Sequence, residues 1–229
     1  MMSRKNHHQQ LNMNSEMKSA LILPAKYPEV GNVKTRLAKR IGFEEATEYD
    51  RAWLENSLLQ AAELPASIDV FIRLARLQDL NKMKALVEDL DLSSRIRCML
   101  PTADNITDNL RDAFLELLPD YKKVVSFATD IPSTTTKLLL EPFKALDGND
   151  IVIGVDRERR GINAFGILRN RASAKLIGQL FSQNTQGLNP YEWTMQVVNS
   201  QKTKPRRYII TQIIDVDTLS DLIATGRLK

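Results

Sequence analysis

Lys123-Val-Val-Ser-Phe127, followed by Ala128-Thr-Asp-Ile-Pro-Ser133 and then by the stretch Thr134–Leu146, is the passage whose reading decides the fold. Its first part is a short apolar run, suited to a strand buried on both faces of a parallel sheet. Its last part carries apolar residues at helical spacing. Between them Asp130 leaves the strand and precedes a proline. Strand, loop and helix in that order form half of a βαβ unit.

The same alternation extends in both directions. Ala20–Leu23, Ile68–Leu74, Ile96–Leu100 and Ile151–Val155 are further short runs rich in Val, Ile, Leu or Phe. Gly161–Leu168 and Tyr208–Ile214 read as two more strands nearer an edge. Helical patterns cover Glu44–Leu64, Asp79–Leu90, Asn109–Leu118, Ala172–Ser182 and Tyr191–Ser200, and Thr218 with Asp221 makes an approximate capping box for a last helix. The expected fold is α/β: a three-layer α/β/α sandwich around a mostly parallel, Rossmann-like sheet with right-handed crossovers. The 229 residues suit one domain, taken as 19–229, behind a polar lead, 1–18, that reads as disordered.

Composition excludes several kinds of chemistry. The only histidines, His7 and His8, lie in the lead, which argues against a Ser-His-Asp enzyme and a His-ligated zinc. Cys98, the single cysteine, sits in an apolar strand context and reads as buried. Acid–base or metal chemistry therefore falls to carboxylates, Lys and Arg. A net charge of +4, from 32 basic and 28 acidic residues, gives no reason to expect a nucleic-acid partner. No apolar run is long enough to span a bilayer, and the chain reads as cytoplasmic.

In open α/β sheets ligands bind at the carboxyl ends of strands, near the topological switch point. After the first strand comes Pro24-Ala-Lys-Tyr-Pro-Glu-Val-Gly-Asn-Val-Lys-Thr-Arg36. Gly31-Asn32 is a turn signal, and Lys26, Lys34 and Arg36 are spaced to grip a phosphate, although a solvated basic loop reads equally well. A helix starting near Val33 would add backbone N–H donors. Asp130 is placed to hold a divalent cation, or else to cap the helix that follows, a duty Ser133 or Thr134 can also fill. Asp156-Arg-Glu-Arg-Arg-Gly161 is either a hairpin tip of paired charges or an active-site loop with a second metal carboxylate. Asp215 and Asp217 read as residues that order the turn before Thr218.

Taken in order, these segments resemble a bacterial and archaeal GT-A family described broadly as glycosyltransferase-like, within the nucleotide-diphospho-sugar transferases. Pro24–Ala38 looks like that family's opening loop, Thr129-Asp-Ile-Pro-Ser133 resembles its Ser-Asp-x-Pro signature, and Asp215-Val-Asp-Thr-Leu-Ser-Asp-Leu222 is similar to its closing motif. The resemblance implies a nucleotide site with Pro24, Lys26, Gly31, Lys34, Arg36 and Asn109, the last near the base or ribose. It also implies Mg²⁺ or Mn²⁺ on Asp130, with Asp156 or Glu158 as further carboxylates. Lys34, Arg36 and Asp130 would carry catalysis, acting on a nucleotide or nucleotide-sugar donor and a small-molecule acceptor. One departure stands out: the family's Asp-Gly-Gly-Tyr after the fifth strand is absent. Arg160-Gly-Ile-Asn-Ala164 instead looks like the Gly-Thr-Asn-Ala stretch of 2-phospho-L-lactate guanylyltransferases, which implies the alternative of a nucleotidyltransferase releasing pyrophosphate from an NTP. Loss of the Asp-Gly-Gly segment is also compatible with a nucleotide-binding protein that does no chemistry.

Overall fold

The computed structural model describes residues 17–156, 159, 161–182 and 184–226. The elements are β1 (Ser19–Ala25), α1 (Thr35–Ile41), α2 (Phe43–Ala62), β2 (Ile68–Leu74), α3 (Leu80–Asp89), β3 (Ile96–Met99), α4 (Ile106–Leu117), β4 (Lys123–Phe127), α5 (Thr136–Ala145), β5 (Ile151–Asp156), β6 (Ile162–Leu168), α6 (Ser173–Leu180), α7 (Pro190–Ser200), β7 (Arg207–Ile213) and α8 (Leu219–Ala224).

Seven strands form one sheet in the order β3-β2-β1-β4-β6-β5-β7. All run parallel except β6, which is antiparallel to both β4 and β5. The chain builds outward from β1 through β2 to β3, then returns to lay β4 on the other side of β1. That reversal makes the crevice beyond the carboxyl ends of β1 and β4 the topological switch point, where open α/β sheets bind ligands.

The strands are apolar throughout because both faces are covered. On one face Leu21 and Leu23 of β1 pack with Leu54 and Leu58 of α2, Met83 of α3 and Phe143 of α5. On the other, Ala20 and Ile22 pack with Phe114 of α4, Ile177 of α6 and Val198 of α7. The three layers expected from the alternation are present. A third, smaller cluster joins Leu37 of α1, Trp53 of α2, Val216 and Leu222 of α8. It brings the segment after β7 against the segment after β1.

Three expectations need correction. β6 is not near an edge; it lies inside the sheet, and its register with β4 and β5 explains why both its faces are apolar. The helix after β4 begins at Thr136, capped by Thr135 through Leu138 N–H, so neither Ser133, Thr134 nor Asp130 serves as its cap. The helix expected from Asn109 begins a turn earlier, because the Asn105 side chain accepts from Asp108 N–H at 2.8 Å. Of the lead, residues 1–16 lie outside the described residues; Lys18 is already tied to the sheet, its ammonium 2.9 Å from Asp69.

Candidate active site

The opening loop owes its shape to local contacts. Asn32 N–H donates to the Glu29 carbonyl at 3.0 Å, and Gly31 takes φ 83°, which a side chain rarely adopts. Tyr27 N–H donates to buried Asp79, and Arg76 grips both Asp79 and Glu29. Those bonds fasten the loop to the segment after β2. On its other flank, Thr129 Oγ1 donates to the Pro24 carbonyl at 3.2 Å, and Ser57 of α2 holds the Thr129 carbonyl at 3.1 Å. The exits of β1 and β4 are thereby locked side by side.

Lys34 is the pivot of the site. It precedes α1 with φ 43° and ψ 39°, a left-handed conformation that costs a non-glycine residue on the order of 1 kcal/mol. Its side chain is 6% exposed, and the ammonium lies 2.5 Å from Asp130, 3.4 Å from Asp215 and 3.5 Å from Asp217. The same ammonium stands 5.8 Å above the Trp53 ring. Burial alone would lower the Lys34 pKa, but the carboxylates, Asp130 foremost, outweigh it and raise it well above the usual lysine value. Arg36, largely exposed, pairs with Asp217.

The acids respond in kind. Burial, reinforced by the charge of Asp130 against the opposing pull of Lys34, pushes the Asp215 carboxyl up to about 7. Asp50, projecting from the middle of α2, is pushed up to about 6 by burial, with Lys34 pulling the other way.

These groups line a cleft of about 910 Å³. Pro24, Lys26, Lys34, Arg36, Asp50, Asp130, Asp215 and Asp217 line it, together with the apolar Leu110, Phe165, Phe181 and Trp193. The volume suits a nucleotide-sized ligand. Three cations face four carboxylates there, so a diphosphate alone would meet a wall whose charges do not favour it. One oxygen from each of Asp130, Asp215 and Asp217 lies within 4.8 Å of the others, an all-oxygen donor set of the kind Mg²⁺ or Mn²⁺ takes. The donor chemistry fits such an ion, provided the Lys34 ammonium gives up its place among the three oxygens.

Sequence expectations divide clearly. Lys34, Arg36 and Asp130, drawn from segments far apart in the chain, converge, and Pro24 and Lys26 line the same cleft. Gly31 shapes the loop without lining it. Asn109, expected near a base or ribose, is instead 1% exposed and wholly used inside: it accepts from Arg73 Nε and Thr102 N–H and donates to the Leu74 carbonyl. Asp156, expected as a metal carboxylate, is not part of the acidic group of Asp130, Asp215 and Asp217 and accepts Gly161 N–H at 2.7 Å. Glu158, with Arg157 and Arg160, lies outside the described residues. Asp215 and Asp217, expected to order a turn, sit at the site instead. The turn is ordered by Asp221, which accepts from both Asp217 N–H and Thr218 N–H. Asp50 escapes a search confined to strand ends. Its signal is an acid four residues from both Ala46 and Leu54, on the buried stripe of α2.

No family model and no curated protein matches the chain. Among solved structures, a protein from Desulfovibrio desulfuricans, provisionally described as a nucleotide-diphospho-sugar transferase, is similar at TM-score 0.77 and 23% identity, over 91% of this chain and 86% of its own. The 4-diphosphocytidyl-2C-methyl-D-erythritol synthase of Anaerococcus prevotii is similar at TM-score 0.63 and 13% identity, over 93% and 98%. A Mycobacterium tuberculosis protein in complex with manganese is similar at TM-score 0.53 and 15% identity, over 91% and 97%. The fold is therefore that of the GT-A type shared by nucleotide-diphospho-sugar transferases and nucleotidyltransferases. Among the described residues, no helix is long and apolar enough to cross a membrane.

Proposed function

We propose that this protein is a metal-dependent transferase acting on a nucleotide-activated donor, most simply a nucleotide-diphospho-sugar. The observation that carries the reading is the gathering of Asp130, Asp215 and Asp217 about Lys34 at the switch point of a GT-A sheet. Asp130, Asp215 and Asp217 would hold Mg²⁺ or Mn²⁺, which supplies charge neutralisation for a diphosphate. Lys34, once displaced from the carboxylates, has the reach and the charge to meet phosphate oxygens, and Arg36 can grip them in a bidentate way. Asp50 keeps a negative field behind Lys34 that favours its charged form. The work of the protein is then positioning and electrostatics, aimed at the charge that develops on a leaving nucleotide.

A second reading, nucleotidyl transfer from an NTP to a phosphorylated acceptor, is supported by the likeness to the Anaerococcus synthase. The two part at their products. Incubation with nucleotide sugars and with NTPs, each with candidate acceptors and Mn²⁺, yields free nucleoside diphosphate under the first reading and pyrophosphate under the second. Neither product under any pairing, with nucleotide binding intact, would leave a binding protein.

A further inference from the structure

Asp50 lies in the middle of α2 and lines the same cleft as Lys34. Trp53 and Leu54 follow three and four residues later, so the three share one helix face. Leu54 also lines the cleft, and the Lys34 ammonium stands 5.8 Å from the Trp53 ring. Tyr49 stacks on that ring with centroids 5.6 Å apart, which holds it in place. A carboxylate thus sits one helical turn from the ring that faces Lys34.

Among the described residues four carboxylates line the cleft, and Asp50 is the one that Lys34 does not pair with. Burial pushes its carboxyl up to about 6; Lys34 opposes that rise, Asp130 adds to it and Lys26 opposes it. Lys34 is therefore within electrostatic reach of Asp50 without bonding to it. Among the described residues the Asp50 carboxylate has no hydrogen bond and no ion pair. An acid desolvated on a packed helix face, with nothing bonded to it, does no work for the fold.

Lys34 has limited freedom. Its backbone is left-handed at the start of α1, and its carbonyl accepts from Ala38 N–H at 2.9 Å. The ammonium can swing, but the Cα cannot follow it. With a divalent ion on Asp130, Asp215 and Asp217, this side chain, 6% exposed, would face a dication and lose every carboxylate it pairs with. A buried ammonium without a counter-charge is strongly disfavoured. Of the acids that line the cleft, Asp50 alone is then left to serve it.

We infer that Asp50 is a positioning residue, the second seat of the Lys34 ammonium, taken up when an ion occupies the three other aspartates. Lys34 then stays charged and inside the cleft, beside the ion, where phosphate oxygens can meet it. This rests on the metal-dependent transferase reading above and adds the residue that keeps the ammonium in the site.

The test is a double-mutant cycle read by calorimetric titration of Mn²⁺ at about pH 7.5, above the raised Asp50 value of about 6. Wild type, Asp50→Asn, Lys34→Met and the double variant are compared, and Asp50→Ala is carried through the same cycle. Asp50→Asn alone should weaken Mn²⁺ binding about tenfold, because the displaced ammonium has no seat. In the Lys34→Met background the same substitution should change the affinity by less than about twofold. A merely structural loss, a diffuse field from Asp50 or a partnership with Lys26 would act alike in both backgrounds. Equal losses in the two backgrounds, or no loss in the first, would overturn the assignment. If wild type binds no Mn²⁺, the metal-dependent reading itself fails and takes this proposal with it. If wild type binds Mn²⁺ and the cycle shows no coupling, only the seat on Asp50 falls.

Discussion

The ammonium of Lys34 lies 2.5 Å from Oδ2 of Asp130, across 96 positions of sequence. It occupies the position among three carboxylates that a divalent ion would need. Under the proposed function, cation and protein ammonium would compete for one set of oxygens, and release of Lys34 toward phosphate would be coupled to arrival of the metal.

Lys34→Ala separates the two roles of this residue. With the ammonium gone, Asp130, Asp215 and Asp217 repel one another without compensation. The metal-free protein should lose about 2 kcal/mol, less than for a fully buried pair because the acids keep some contact with water. Mn²⁺ should then raise the Tm of the variant more than that of wild type, while transfer activity falls at least tenfold. Thermal melts with and without Mn²⁺ check this. Equal Mn²⁺ shifts in the two proteins would show that ion and ammonium do not share a site.

The metal-free protein should also show a pH signature. Burial raises Asp50 to about 6 and, with the charge of Asp130, raises Asp215 to about 7, from an ordinary aspartate value of 3.8. Between the ordinary value and the raised ones the folded chain keeps protons that the unfolded chain has released. The stability these two groups contribute is complete below about pH 4 and is lost as pH rises through 6 to 7. Asp50→Asn removes one of them. Melts in EDTA should show the variant gaining on wild type as pH rises from 5 to 8, reaching an advantage of about 1–2 kcal/mol.

Trp53 offers an optical check on Lys34, whose ammonium stands 5.8 Å above its ring. In a Trp193→Phe background, Mg²⁺ should change Trp53 emission saturably as the ammonium leaves the ring face. The same titration of Lys34→Ala in that background should give no change.

Asn109→Ala should behave as a packing variant. It leaves the buried guanidinium of Arg73 and the Leu74 carbonyl short of partners, at a cost of about 2 kcal/mol. Nucleotide affinity, measured well below the Tm, should match wild type. A selective loss of affinity without loss of stability would return Asn109 to the base or ribose.

The fold is legible in the sequence where local pattern and burial agree. Val124, Val125 and Phe127 read as a strand buried on both faces because helices cover both faces there. β6 defeats such a reading, since Ile162–Leu168 carries nothing that distinguishes a strand inserted between β4 and β5 from one at the margin. In the site, Lys34, Arg36 and Asp130 are visible because chemistry at strand ends follows from topology. Asp215 and Asp217 carry the same signal but adjoin a helix start, and only the packing of Val216 and Leu222 on Trp53 turns them toward Lys34. Asn109 misleads because its burial depends on Arg73, a residue whose own placement inside the sheet layer no local pattern foretells.

The most direct test is Asp130→Ala. Thermal shift and calorimetry with nucleotide sugars and NTPs, each with and without Mn²⁺, would be compared between this variant and wild type. The expected result is that wild type is stabilised by at least one nucleotide in a Mn²⁺-dependent manner, and that the variant loses the Mn²⁺-dependent part while remaining folded. Retention of the full Mn²⁺-dependent shift in Asp130→Ala would contradict the assignment of the ion to the carboxylates around Lys34.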